Sequence, residues 1–125
     1  MNLLQLLGVK TLTATPDFAQ VELAVTAAIK QPYGIVHGGI NAVLAETAAS
    51  LGANAALDTT RQIAVGVNVE THHLSTVAQG ILRANAKPLH KGNRLQVWQV
   101  KIYEQHSQRL TSSSTVTLLV TSRQA

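Results

Sequence analysis

The chain has 125 residues, enough for one domain with a proper hydrophobic core. Apolar residues make up 46% and charged residues only 13%, which excludes a disordered chain. The formal net charge is +4, aromatics amount to 3% and cysteine is absent, so base-stacking platforms, disulfides, zinc–thiolate centres and cysteine nucleophiles are excluded.

From the N-terminus, "MNLLQLLGVK" lacks a basic region and a small-residue cleavage site, so no secretory signal is expected. No apolar run approaches the roughly 18 residues of a membrane span. A cytoplasmic protein without a membrane partner is the expectation. Residues 2–7 read as a short apolar turn or helix ending at Gly8. "VKTLTAT" and "AQVELAV" alternate around a Pro16-Asp17 turn and predict a β-hairpin. "AIKQPYG" reads as a loop, and a helix follows from about Gly39 to Leu57. Four strand-like runs come next: "QIAVGVNVETHHL", "GILRANAKPL", "RLQVWQVKIYEQ" and "RLTSSSTVTLLV". Pro88 confines its strand to an end, an edge or a bulge. Two strands, one long helix and four strands predict an α+β fold: an antiparallel sheet of about six strands wrapped around a central helix, with residues 1–125 forming a single domain.

The helix carries the chemistry. At about 100° per residue, Ile40, Val43, Leu44, Thr47, Ala48 and Leu51 share one face, expected to lie under the sheet. Gly39, Ala42, Glu46, Ala49, Ser50 and Ala53 form a second face, whose small residues suit close approach to another protein surface. A carboxylate taken out of water is costly unless paired or used. Glu46 is therefore either bonded to a buried polar partner or a general base or nucleophile in an interface cleft, and the second reading is preferred. Gly38 and Gly39 are expected to offer free N–H groups at the helix N-terminus, a good oxyanion hole. Gly38 and Glu46 lie about 12 Å apart along a helix axis, too far for one carbonyl to touch both. An antiparallel copy of the helix would bring Glu46 of one subunit beside Gly38 of another, which predicts a homodimer with shared sites.

Half of the lysines and arginines (Arg83, Lys87, Lys91, Arg94, Lys101) fall in one stretch without an acid. They form either a solvated face or a site for a phosphorylated ligand. Nucleic acid is the weakest reading, because no nucleic-acid-binding motif accompanies the charge. His72 and His73 are adjacent on a predicted strand and point to opposite faces, so they cannot share a metal ion, and no metal site or other cofactor is expected. A serine triad lacks a GxSxG elbow.

"QPYGIVHGGINAVLAETAAS" resembles the signature segment of hotdog-fold acyl-CoA thioesterases of the PaaI-like group, and is most similar to the branch of the 1,4-dihydroxy-2-naphthoyl-CoA hydrolases and the enterobactin-pathway proofreading thioesterase. "VGVNVETHHLSTVAQG", "KPLHKGNRLQVWQVKIY" and "RLTSSSTVTLLV" extend the likeness over nearly the whole chain. The resemblance implies a hotdog fold and hydrolysis of acyl- or aroyl-CoA, or of acyl carrier protein thioesters. It makes Glu46 the catalytic carboxylate, acting on the carbonyl directly or through water. Gly38 N–H becomes the oxyanion donor, helped by Gln31, with His37 orienting the loop and polarising the thioester. Ser50 positions the water or the leaving thiol. Gly66, the stretch His73, Leu74, Ser75 and Thr76, and the stretch His90, Lys91, Gly92, Asn93, Arg94 and Leu95 are placed against coenzyme A, with Lys91 and Arg94 suiting its phosphates. The chain departs from the branch at His72-His73 and Ser75, where Asn-His and a later Arg are usual, and at Lys91. Relatives pair dimers into tetramers, so a tetramer is the expectation. A non-catalytic acyl-CoA-binding module is the alternative; a dehydratase of the same fold would need a His paired with an acid in an arrangement not found here.

Overall fold

Alternation along "FAQVELA" turns Ala19, Val21 and Leu23 inward and leaves Gln20 and Glu22 half-exposed, the two-residue period of a strand with one buried face. The structure is a computed structural model and describes residues 1–123. Its strands are β1 (Lys10–Thr15), β2 (Phe18–Ala24), β3 (Gln62–His73), β4 (Ile81–Lys91), β5 (Leu95–Glu104) and β6 (Leu110–Ser122). They form one antiparallel sheet in the order β1-β2-β4-β5-β6-β3, curled around the 17-residue helix α2 (Gly38–Asn54). This is the hotdog architecture that the resemblance implies. Helix α1 (Leu3–Leu7) precedes the sheet, held by an Asn2–Gln5 capping box and a left-handed Gly8.

Pro88 sits where β4 has run past β2, beyond Ala86, and where the β4–β5 register shifts between Pro88 and His90. Its missing N–H therefore breaks no ladder bond that the sheet needs.

The helix is rotated relative to the sequence-based expectation. The face under the sheet comprises Asn41, Leu44, Ala45, Ala48, Ala49, Gly52 and Ala53, whereas Val43, Thr47 and Leu51 are only half-buried and turn toward an open groove. Close packing is the cause. The fully buried Trp98 ring of β5 lies where a Cβ on Gly52 would be, 2.3 Å from Cη2, so only glycine fits at that point of the buried face. The small-residue stripe thus partly serves the chain's own core, with Ala49 and Ala53 inside it, while Ala42, Glu46 and Ser50 of the second face line the open groove and Gly39 is exposed at the helix start. The helix also ends at Asn54 instead of Leu57. The Asn54 side chain donates to Ala64 O (3.1 Å) and accepts from Ala64 N–H (2.8 Å), tying the helix end to β3. No helix among the described residues is long and apolar enough to cross a membrane.

Candidate active site

The chain enters α2 through a tightly bonded loop. Gln31 N–H donates to Ile35 O (2.9 Å), Gly34 N–H to Gln31 O (3.0 Å) with Gly34 at φ +84°, Val36 N–H to Val77 O (2.8 Å) and His37 N–H to Ile29 O (2.9 Å). The Tyr33 N–H donates to the Gln31 side-chain oxygen, which leaves the Gln31 amide nitrogen to donate elsewhere. His37 is the N-cap: its Nδ1 accepts from Gly39 N–H at 2.9 Å. The Gly39 N–H is therefore occupied, correcting the expectation of two free glycine donors. Gly38 N–H has no acceptor among the described residues.

A cavity of about 300 Å³ opens at this corner, lined by Gln31, Gly38, Asn41, His73, Leu74, Ser75 and Thr76 among others. Asn41 Nδ2 lies 3.0 Å from His73 Nδ1. The His73 ring lies so close to the helix that a Cβ on Gly38 would be 2.9 Å from its Nε2. The stretch after His73 hangs on the start of β6: Leu74 N–H donates to Thr111 O (2.9 Å), Ser75 Oγ to Leu110 O (3.0 Å) and Arg109 Nη2 to Thr76 O (2.7 Å). The hydroxyl of Ser75 is thus committed to backbone.

Glu46 opens into a different space. It is exposed and lines a groove of about 640 Å³ together with Ser50, Val43, Leu51, Val69 of β3 and Leu3 and Leu4 of α1. No hydrogen bond or ion pair holds its carboxylate among the described residues, so the structure offers no support for a buried polar partner. Gly66 lies directly against it: a Cβ there would be 2.7 Å from the Glu46 carboxyl carbon. Gly66 sits at the β3–β6 register shift between Gly66 and Asn68, on an edge strand whose Val65 and Val67 are exposed.

The third group, His90 to Leu95, forms the β4–β5 turn and lines neither space. Gly92 N–H donates to Leu95 O (2.8 Å), and a Cβ on Gly92 would meet both His90 Nε2 and Leu95 O at 2.9 Å. Arg94 and Asn93 are exposed, and Lys91 Nζ is paired with Asp17 of the β1–β2 turn at 2.8 Å. The structure therefore brings His73, Leu74, Ser75 and Thr76 to Gln31 and Gly38, and Gly66 to Glu46, while the turn stands apart within one chain. Three contributors escape sequence reasoning: Asn41, the α1 wall and Asp17. The lone amide in an otherwise apolar helix start was the available signal for Asn41. The capped "NLLQLL" segment was the signal for α1; nothing local points Asp17 at Lys91.

Away from these spaces, Glu104 of β5 is 6% exposed and accepts from the N–H groups of Ser107 (2.8 Å), His106 (3.0 Å) and Ile81 (3.3 Å). These bonds, the Ser107 and His106 N–H groups first, hold its carboxyl at about 2. Asp58, after the helix, is likewise held low by the Thr60 hydroxyl and N–H.

A wrapped one-helix sheet with an HGG-capped helix N-terminus and a mid-helix carboxylate defines a class, and comparison with known proteins places the chain in it. Residues 33–111 match the family model of the thioesterase superfamily. The chain belongs to the thioesterase superfamily. It is 34% identical over 120 residues to the 1,4-dihydroxy-2-naphthoyl-CoA hydrolase of Listeria monocytogenes, covering 96% of each chain. It is 35% identical over 114 residues to the proofreading thioesterase EntH of Cronobacter turicensis, covering 90% of this chain and 81% of that one. Among solved structures it superposes on the thioesterase HI1161 of Haemophilus influenzae with a TM-score of 0.88 at 31% identity, over 95% of this chain and 82% of the other.

Proposed function

We propose that the chain, acting as a single hotdog domain, hydrolyses acyl- or aroyl-coenzyme A thioesters at sites shared between two subunits. One observation carries this reading: Glu46, the one acid on α2, and the Gly38 N–H, both without partners among the described residues, open into different spaces of one chain, about 12 Å apart along the helix. A second copy completes the site. Strand β3 is a 12-residue sheet edge with exposed Val65 and Val67, the kind of edge that pairs with another strand. Pairing through it sets two α2 helices side by side around a two-fold axis, and Glu46 of one subunit faces the Gln31–Gly38 corner of the other.

In this arrangement the thioester carbonyl sits at the corner, its oxygen receiving the N–H of Gly38 and the amide of Gln31. His37 holds the loop. Glu46 takes a proton from water, and the resulting hydroxide adds to the carbonyl. Alternatively, Glu46 adds to the carbonyl itself, and water then opens the mixed anhydride. Either way the C–S bond breaks and the electron pair leaves on sulfur, which takes up a proton from protonated Glu46 or from water. The products are a carboxylate and the thiol of coenzyme A, with the remaining proton released to solvent. Ser50, one turn from Glu46 in the same groove, positions the water or the leaving thiol. The apolar groove takes the acyl group, and the exposed Arg94, with Lys91 when released from Asp17, meets the phosphates. Coenzyme A thioesters belong to the cytoplasm, where we place the enzyme, as a dimer or a dimer of dimers.

The test is release of free thiol from benzoyl-CoA and a medium-chain acyl-CoA, followed with a thiol reagent. Turnover supports hydrolysis; tight binding without turnover favours the non-catalytic acyl-CoA-binding module. Subunit sharing is read by mixing Glu46→Ala protein with a Gln31→Ala/His37→Ala variant under exchange. Recovered activity supports composite sites, and no recovery overturns them.

A further inference from the structure

Asn41 is the one polar residue on the buried face of α2, and it is only 8% exposed. Asparagine is a poor helix-interior residue, and an amide buried there without a partner is costly. Its side chain makes one hydrogen bond among the described residues, from Nδ2 to His73 Nδ1 at 3.0 Å. An amide nitrogen can only donate, so in this arrangement Nδ1 accepts, and the tautomer that fits carries its proton on Nε2. That nitrogen lies over Gly38, 2.9 Å from where a Cβ would stand, and it faces the cavity that Gly38 and Gln31 line.

Resting on the hydrolytic reading above, we infer that Asn41 fixes His73 as a third hydrogen-bond donor to the thioester oxygen, so that His73 serves the carbonyl end of the substrate. Asn41 is the positioning residue and His73 the group that touches substrate. As the C=O electron pair moves to oxygen on addition, the Nε2–H, the Gly38 N–H and the Gln31 amide stabilise the charge. The pair returns as the C–S bond breaks, and the Nε2 proton stays on nitrogen throughout. Donors already oriented before reaction need no reorganisation during it, which is why such groups carry large catalytic factors. His37 has the same tautomer for the same reason, since its Nδ1 is occupied by Gly39 N–H. Both imidazoles at this end of the helix thus keep Nε2–H.

The substrate-free protein, labelled with ¹⁵N-histidine, is examined by long-range ¹H–¹⁵N NMR, with His73→Gln assigning the signal. The expected spectrum for His73 shows an unprotonated Nδ1 and a protonated Nε2. Replacing the amide by an apolar side chain of similar size, Asn41→Leu, is expected to mix the tautomers and lower kcat by about tenfold or more, with KM within about threefold. A native spectrum with the proton on Nδ1 overturns the inference, as does Asn41→Leu protein with native kcat. If Asn41→Leu does not fold, the native spectrum still decides the tautomer, and two His73 variants decide the role. His73→Gln, which keeps an N–H donor, is expected to retain more kcat than His73→Ala. Equal loss in both, or a change in KM alone, overturns it. A protein with the expected tautomer that releases thiol from no thioester overturns the hydrolytic reading and the donor role together, while the hydrogen bond stands.

Discussion

The two spaces along α2 are built in opposite ways. At the helix N-terminus nearly every polar group is tied: Gly39 N–H to His37, His73 to Asn41, Gln31 oxygen to Tyr33 N–H, Ser75 to Leu110. Two turns further on, Glu46 sits in a mostly apolar groove with no hydrogen-bond or ion-pair partner among the described residues and Gly66 close against it. Donors for a developing charge work best when held rigid by their own chain. A base or nucleophile works best when its lone pairs are free. On the proposed reading the contrast is that of a site cut in half, with a pre-set half and a reactive half in each protomer that a second copy would join.

The largest test removes the reactive half. Glu46→Gln keeps shape and takes away the base, so kcat should fall by about 10²–10⁴-fold. Because the carboxylate bonds nothing among the described residues, thermal stability should stay within about 0.5 kcal/mol. Near-native turnover in this variant rules out Glu46 as the reacting group.

Next comes a matched pair of glycines. In Gly38→Ala the new methyl meets His73 at 2.9 Å and displaces the imidazole from the donor corner. In Gly66→Ala it meets the Glu46 carboxyl carbon at 2.7 Å. Glu46 ends a flexible side chain on an open groove and can shift, whereas His73 is held by Asn41. Gly38→Ala should therefore lower kcat more than Gly66→Ala, by roughly the 10²-fold worth of one oxyanion donor against tenfold or less. The reverse order in steady-state kinetics would show that the groove is the rigid half.

A smaller effect falls on the β4–β5 turn. Arg94→Glu should raise KM for coenzyme A thioesters severalfold and leave a pantetheine thioester nearly unchanged. Asp17→Asn frees Lys91 from its exposed partner and should lower the same KM, by no more than about fivefold given what such pairs are worth. Equal changes on both substrates would move the phosphates elsewhere.

Much of this was legible in the residues, for physical reasons. The two-residue period marked β1 and β2 and the Pro16-Asp17 turn placed their hairpin, while dense Val, Ile and Thr between Gly, Asn or Ser marked the four later strands. The lone acid and the HGG stood out because the helix holds no other charged residue. What could not be read was which helix face meets the sheet. Apolar side chains lie on both sides of α2, so periodicity did not discriminate, and the deciding fact is a tertiary one: Trp98, 46 positions away in the chain, requires a glycine at 52. The Lys91–Asp17 pair is likewise a product of folding, joining turns 74 positions apart. The Asn41–His73 bond spans 32 positions and shows in the sequence only as an odd residue in an apolar helix.

The smallest effect is complete at neutral pH, is removed by acid and separates the halves. Glu104 takes the N–H groups of His106 and Ser107, shaping the turn that leads into β6, and the Leu74–Thr76 wall of the donor corner hangs from Leu110, Thr111 and Arg109. Its carboxyl stands at about 2 in the folded chain against 4.5 ordinarily. Between these values the unfolded chain binds a proton that the folded chain refuses, so stability falls as pH drops. The contribution of Glu104 is complete above about 4.5 and is lost as pH falls toward about 2. Glu104→Gln should therefore be less stable than the native protein at pH 6, with the gap narrowing as pH falls through that window in urea unfolding. Amide exchange at residues 74–76 and 106–111 should quicken with acid before that of the middle of α2, because Glu46 and its neighbours draw no support from this carboxylate. A gap that stays constant with pH, or acid loosening that begins around Glu46, would mean that Glu104 does not hold the donor corner.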